Sequence, residues 1–320
     1  MTHPSKTLDI VALGEAMVEF NQTPGQASDA PPMYLQGFGG DTSNAAIAAA
    51  RAGARVAYLS RLGTDRWGER LLDLWQRESV GTTTVLRDAQ APTGMYFVSH
   101  DALGHHFSYA RAGSAASRMQ PTDLAHWQDA IASSQWLHLS GISLAISSSA
   151  CDTAFAAMQH ARNVGTRVAL DSNLRLSLWP LARAQACIRQ AVALCDLFLP
   201  SLEDMTALTG LTQAQDIIDW SHKHGAAQVV LKLGAVGALA SDGTQRRSVP
   251  GYAVHARDAT GAGDCFAGNL LAQLSSGHTL WDATAYANAA AALSVQGIGA
   301  VSPLPGRDAV LDLLKQSTHA

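Results

Sequence analysis

Short apolar runs alternate with longer helical stretches along most of the chain, and that rhythm constrains the fold more than any single motif. Residues 9–13, 56–59, 136–140, 167–171, 197–200 and 228–232 each read as strands, the first of buried type. Between them lie helical stretches: an alanine-rich one over 45–52 stopped by Gly53, then 65–78, one running to Arg162, one from about Leu181, and 203–209. Such alternation implies an α/β chain, a mainly parallel sheet with helices on both faces. Two segments break the rhythm. Residues 93–100 and 106–111 alternate, are rich in Tyr, Phe and Val, and flank a glycine turn, which is a hairpin signature. Residues 21–37 are polar and interrupted by Pro24, Gly25, Pro31 and Pro32, as in a loop or edge strand. Segments 15–38 and 93–111 are together read as a small β lid on a single domain spanning residues 1–320.

Charge and composition narrow the function. A net charge of −4 leaves no electrostatic footprint for nucleic acid. No run approaches the ~18 apolar residues of a membrane span. The N-terminal MTHPSKTLDIVALGEAM lacks the apolar core and small-residue cleavage pattern of a signal peptide, so a cytoplasmic protein is expected. Cys151, Cys187, Cys195 and Cys265 have no CxxC spacing and read as reduced thiols. His100, His105 and His106 flank Gly104 without metal-ligand spacing and read as surface turn residues. A homo-oligomer is expected, with the exposed face of the lid as partner surface, because unpaired sheet edges need cover.

Asp258-Ala-Thr-Gly-Ala-Gly-Asp-Cys-Phe-Ala-Gly268 carries the strongest chemical signal. It is read as entering from a β-type run (Tyr252, Val254, His255) and leaving as a helix with Phe266, Leu270, Leu271 and Leu274 on one face. Gly261 and Gly263 let the backbone turn and approach a ligand closely. The first-turn N–H groups and the helix dipole then favour an anion. Asp264 in that turn would repel phosphate, unless it takes a proton from a hydroxyl beside it; the alternative is an acid that only completes a helix start. Other polar groups follow strand ends: Glu15, Asn44 nearby, Asp171-Ser172-Asn173, Ser201 and Lys232. Open parallel sheets bind ligands beyond those ends. A second glycine turn, Lys232-Leu-Gly-Ala-Val-Gly237, is either part of the site or a plain β-turn. No GxxxxGK[ST] exists, and Gly261-Ala-Gly263 has the wrong downstream spacing for a dinucleotide fingerprint.

Gly39-Gly40-Asp-Thr-Ser-Asn44 and Asp258–Asp264 resemble the two signatures of the ribokinase-like (PfkB) carbohydrate kinases, and the resemblance covers nearly the whole chain. Within that family, Gly14-Glu15-Ala-Met-Val-Glu, Tyr109-Ala-Arg111-Ala-Gly-Ser, Leu139-Ser-Gly-Ile-Ser-Leu and Asp171-Ser-Asn-Leu-Arg175 are similar to 2-keto-3-deoxygluconate kinases. The resemblance implies a three-layer α/β/α fold and ATP- and Mg²⁺-dependent phosphorylation of a small sugar acid at its terminal hydroxyl. By matching position, Asp264 would be the catalytic base and Gly261, Ala262 and Gly263 the anion hole. Lys232, Gly234, Gly237 and Thr260 would lie along the nucleotide with Ser201, and Asn288 near the adenine. Gly39, Gly40 and Asn44 would hold sugar hydroxyls with Glu15 beside them; Tyr96, Tyr109, Arg111 and Arg175 would hold the acid sugar. Where the family has N-x-x-E, this chain has Ser201-Leu-Glu203-Asp204, which places Asp204 at the metal-associated position, acting through water.

The chemistry needs those residue types. Phosphoryl transfer asks for alignment and spread charge. A sugar hydroxyl needs a base within hydrogen-bond reach. A carboxylate, unlike a neutral sugar, has use for two guanidinium groups. Arg175 in a surface salt bridge and Tyr96–Tyr109 as cross-strand packing are the plainer alternatives. At the level of function, the alternatives are a neutral-sugar kinase, a non-catalytic sugar-binding regulator and an NAD-dependent dehydrogenase.

Overall fold

The structure is a computed structural model and describes residues 6–23, 31–101 and 104–317. β1 (Leu8–Leu13) passes into β2 (Met17–Gln22) and β3 (Tyr34–Gly39), followed by α1 (Asp41–Arg51), β4 (Val56–Gly63) and α2 (Arg66–Arg77). Two short strands, β5 (Val80–Gly81) and β6 (Val85–Asp88), precede the hairpin of β7 (Met95–Asp101) and β8 (Gly104–Ala110). Next come α3 (Leu124–Ala132), β9 (Ser134–Ser140), α4 (Gly141–Ala145), α5 (Ser148–Asn163), β10 (Arg167–Asp171) and α6 (Leu181–Val192). They lead to β11 (Leu197–Leu199), α7 (Leu202–Thr209), α8 (Ala214–Lys223) and β12 (Gln228–Lys232). The chain closes with β13 (Gly237–Ser241), β14 (Arg246–Pro250), α9 (Ala262–Ser275), α10 (Leu280–Ser294) and α11 (Arg307–Ser317).

The main sheet runs β14-β13-β12-β11-β10-β9-β1-β4-β5, with β6 also on β4. It is parallel apart from β13 and β14. From β1 the chain moves outward through β4 and β5 on one side, and from β9 through β12 on the other. The winding therefore reverses between β1 and β9, which opens a crevice at their carboxyl ends. Alternate residues of β1 feed two cores. Ile10 and Ala12 pack with residues of α1, α9 and α10, while Val11 and Leu13 pack with α3, α5, α6 and α8. The second sheet, β3-β2-β7-β8, combines segments 17–39 and 95–110. Its segments include both stretches that break the βα rhythm.

Several boundaries differ from the sequence reading. Residues 251–256 form no strand. β14 is the sheet edge and ends at Pro250, which has no N–H, and the carbonyls of Val249 and Pro250 accept instead from Asn288 Nδ2 at 3.0 and 3.1 Å. α1 begins at Asp41 rather than Ala45, so the Asp-Thr-Ser-Asn motif is its first turn. α9 is buried continuously from Cys265 to Gln273, not along one face. The stretch ending at Arg162 is two helices, α4 and α5. His100 and His106 lie in β7 and β8, where His100 Nε2 meets Asn21 Oδ1 at 2.8 Å. Residues 102–103 of that turn, and Pro24 and Gly25, lie outside the described residues. All four cysteines are free.

The alanines of α1 have a packing cause. Ala45, Ala46, Ala48 and Ala49 are at most 1% exposed, and a Cβ at Gly268 of α9 would stand 2.1 Å from the Ala45 carbonyl oxygen. Only small residues let the two helices approach this closely. Gly268→Ala is expected to destabilise the fold by about 1–3 kcal/mol through overpacking, read as a lowered calorimetric Tm.

Candidate active site

The crevice at the carboxyl ends of the main sheet holds two adjoining cavities, of about 380 and 830 Å³. Asn173, Arg175, Ala259, Gly261 and Asp264 line both and so mark their junction.

Asp264 sits in the first turn of α9, whose N-cap Gly261 is left-handed (φ 75°). A side chain there would also press on Ala300, whose carbonyl oxygen stands 3.1 Å from the site of a Cβ. No side chain caps this helix, so its first-turn N–H groups are left for a ligand. Ala262 is an exception, because its N–H donates to the Ala259 carbonyl at 3.1 Å; Gly263 lines the smaller cavity. Asn44 Nδ2, from the first turn of α1, donates to Asp264 Oδ2 at 2.9 Å. Two helix N-termini thus converge on one carboxylate. Burial, then the charges of Asp41 and Asp171, push Asp264 up to about 7, against the hydrogen bond from Asn44 and the charge of Lys232.

The smaller cavity is lined by Lys232, Gly234, Ser201, Glu203 and Asp204. Lys232 Nζ meets Asp171 Oδ2 at 2.6 Å, and burial raises the Asp171 carboxyl despite this pair. Ser201 caps α7 by accepting from the Asp204 N–H at 3.1 Å, and Asp204 Oδ2 accepts from Ser172 Oγ at 2.6 Å. Among the described residues, no group of three or more His, Cys, Asp or Glu side chains forms a metal cage. Oxygen-only donors at Asp204 and Glu203 fit Mg²⁺ carried largely by water and phosphate.

The larger cavity is lined by Gly40, Asp41, Asn44, Tyr96, Tyr109, Arg111 and Arg175, together with Glu15. Gly40 takes φ 118° and lies so close to the β1–β2 turn that a Cβ would stand 2.5 Å from the Glu15 carbonyl oxygen. Arg111 is ion-paired with Glu15, which buries 99% of its surface. Arg175 is exposed; its Nη1 donates to the Leu174 carbonyl at 2.8 Å, and no described acid pairs with it. The surface salt bridge is therefore absent among the described residues. Tyr96 and Tyr109 are direct cross-strand partners with ring centroids 5.9 Å apart, so they pack together while lining the cavity. The Tyr96 hydroxyl donates to Glu19 Oε2 at 2.5 Å.

Four sequence candidates sit differently. Gly39 lines neither cavity; a Cβ there would meet the Tyr96 hydroxyl at 2.1 Å. Gly237 (φ 112°) packs against the Val249 carbonyl and permits the β13–β14 register. Asn288 lines neither cavity, and its Nδ2 donates to the β14 carbonyls. Thr260 lines the larger cavity, with its hydroxyl donated to Asp258 at 2.6 Å. Asp41 was given no role in the sequence reading, yet it is buried in the larger cavity and accepts from Ser140 Oγ and, at 3.1 Å, from Asn173 Nδ2. Its position as the first residue of a helix after two glycines was the available signal.

A parallel α/β sheet with a second small sheet, and an uncapped glycine-cornered helix at the crevice, is a ribokinase-like architecture. The pfkB family carbohydrate kinase signature matches residues 7–307, and the chain belongs to that family. Among curated relatives, 2-dehydro-3-deoxygluconokinase of Bacillus subtilis (strain 168) is 32% identical over 311 residues, covering 96% of this chain and 95% of that protein. Fructokinase of Vibrio alginolyticus is 31% identical over 287 residues, covering 87% and 92%. Among solved structures, a PfkB protein from Polaromonas sp. JS666 has TM-score 0.85 at 32% identity, covering 94% of this chain and 98% of that one. Fructokinase from Vibrio cholerae O395, with fructose, ADP and calcium bound, has TM-score 0.84 at 30% identity, covering 96% and 99%.

The raised Asp264 carboxyl has a consequence for stability. An unfolded aspartate loses its proton near 3.8, whereas the folded chain keeps this one to about 7. Between those values the folded state binds more protons, so this group makes stability fall as pH rises through the window, with the penalty complete above it. Asp264→Asn cannot ionise. It is expected to unfold at a higher temperature than the parent at about pH 8, with the gain gone near pH 4, as read by calorimetry across pH.

Proposed function

We propose that the chain transfers the γ-phosphoryl group of ATP to the terminal hydroxyl of 2-keto-3-deoxygluconate, giving the 6-phosphate. The observation that carries this reading is Asp264, a carboxylate at the junction of two cavities and beside an uncapped helix N-terminus. ATP phosphates would enter the smaller cavity, against Lys232, Gly234 and the first turn of α9. The acceptor would fill the larger one, its hydroxyls on Asp41 and Asn44 and its carboxylate on Arg175 and Arg111. Asp264 takes the hydroxyl proton as the oxygen attacks the γ-phosphorus and ADP departs with the bridging oxygen. A carboxyl held at about 7 is matched to receiving that proton at neutral pH. Mg²⁺, held through water by Asp204 with Glu203 in reserve, would offset phosphate charge. Helix dipole and N–H groups supply charge stabilisation where water is excluded.

Arg175 is the specificity argument, since its guanidinium has no acid partner among the described residues. A neutral-sugar kinase is the second reading, because Glu15 already neutralises Arg111 and fructokinases are among the relatives. The same proposal includes a cytoplasmic homo-oligomer covering the exposed Leu35 and Phe107 of the second sheet.

Asp264→Asn is expected to cut turnover about 10²–10⁴-fold with the ATP KM little changed. Arg175→Ala is expected to raise the KM for the sugar acid about tenfold or more while leaving any residual fructose activity alone. Steady-state kinetics on sugar acids and neutral sugars test both, and a wild-type preference for fructose would replace the first reading with the second.

A further inference from the structure

All four chain crossings between the main sheet and the second sheet meet at Glu15. It occupies the β1–β2 crossing. Its backbone oxygen stands 2.5 Å from where a Cβ of Gly40 would be, at the β3–α1 crossing. Its Oε1 stands 2.6 Å from the equivalent point on Gly94, at the β6–β7 crossing. Arg111 and Ser114 lie just after β8. The guanidinium of Arg111 pairs with Glu15 Oε2, and Ser114 Oγ donates to Oε1 at 2.5 Å. Backbone bonds tie the same crossings together: Ala115 N–H to Pro92 O at 2.8 Å and Val18 N–H to Gly94 O at 3.1 Å.

We propose that Glu15 is a positioning residue, which fixes the Arg111 guanidinium toward the acceptor cavity and couples the acceptor's charge to the placement of the second sheet. A carboxylate this deeply buried needs partners for its oxygens, and here it has a guanidinium and a hydroxyl. The guanidinium is a planar fork of five N–H donors, so an edge given to Glu15 leaves others for the cavity Arg111 lines. The Glu15 side chain is fully buried beside that fork and acts on the acceptor through it. Removing its charge frees Arg111 to turn and unties the place where the two sheets join. The carboxylate-binding part of this inference rests on the sugar-acid reading above; the coupling of the sheets does not.

The test is Glu15→Gln, with Arg111→Ala and the double variant. The wild type is first assayed on sugar acids and neutral sugars, which settles the acceptor class by itself. On the preferred acceptor, Glu15→Gln is expected to raise KM about tenfold, change kcat less than about threefold, and leave the ATP KM unaltered. Hydrogen exchange is expected to speed up at residues 94–98 and 111–115 but not in β9 or β10. The double variant is expected to be no worse than Arg111→Ala alone, since Glu15 acts through Arg111. An acceptor KM within about twofold of wild type, or fully additive losses in the double variant, overturns the proposal whichever acceptor is preferred. If Glu15→Gln does not fold, Glu15→Asp retains the charge at shorter reach, and an unchanged acceptor KM in that variant likewise overturns it.

Discussion

Asn44 and Asp264 lie 220 positions apart, and the 2.9 Å bond between them joins the first turns of α1 and α9. That bond depends on how closely the two helices pack. Gly268 meets the Ala45 backbone directly, and the run of alanines on α1 leaves no side chain to hold the helices apart. Packing that looks like ordinary core economy therefore places the Asp264 carboxylate. It brings two positive helix ends to one point, where an acid and an anionic ligand can share a small volume.

Charge at that point is balanced narrowly. Burial raises both Asp171 and Asp264 above ordinary aspartates, helped at Asp171 by the charge of Asp204 and at Asp264 by those of Asp41 and Asp171, with Lys232 opposing both. Asp171 is held by Lys232 and Asp41 by Ser140 and Asn173. Asp264 has a single hydrogen bond from Asn44 and lines both cavities, so of the three it is the one with most access to a ligand's proton.

How much of this was legible in the sequence follows the range of the interactions. The βα rhythm, the hairpin and the glycine corner are local patterns, and 167–171 and 228–232 are strands with the same ends in the structure. What the residue types did not show was mostly non-local. Tyr252, Val254 and His255 have strand-like side chains, but after Pro250 no neighbouring strand takes up their backbone. Asn288 pairs across 38 and 39 positions with carbonyls that only the fold brings near. Arg111 reads as a cation for a ligand, and only the structure shows a buried Glu15, 96 positions earlier, already on it. Ala262 lost its place among the free donors to a turn bond to Ala259, three residues away, which depends on backbone angles that residue types do not specify.

The two arginines also bear on which end of an acceptor would reach Asp264. In the larger cavity, the carboxylates of Asp41 and Asp264 would repel an acceptor's carboxylate. Arg111 and Arg175 attract it, and of the two Arg175 carries its charge without a described acid partner. A sugar acid would therefore be oriented by its own charge, carboxylate toward the arginines and a hydroxyl toward Asp264. A neutral ketose has no such polarity and would have to be oriented by hydroxyl contacts alone. Regiochemistry and acceptor choice thus become one electrostatic question, set by how far Glu15 cancels Arg111 and leaves Arg175 uncancelled.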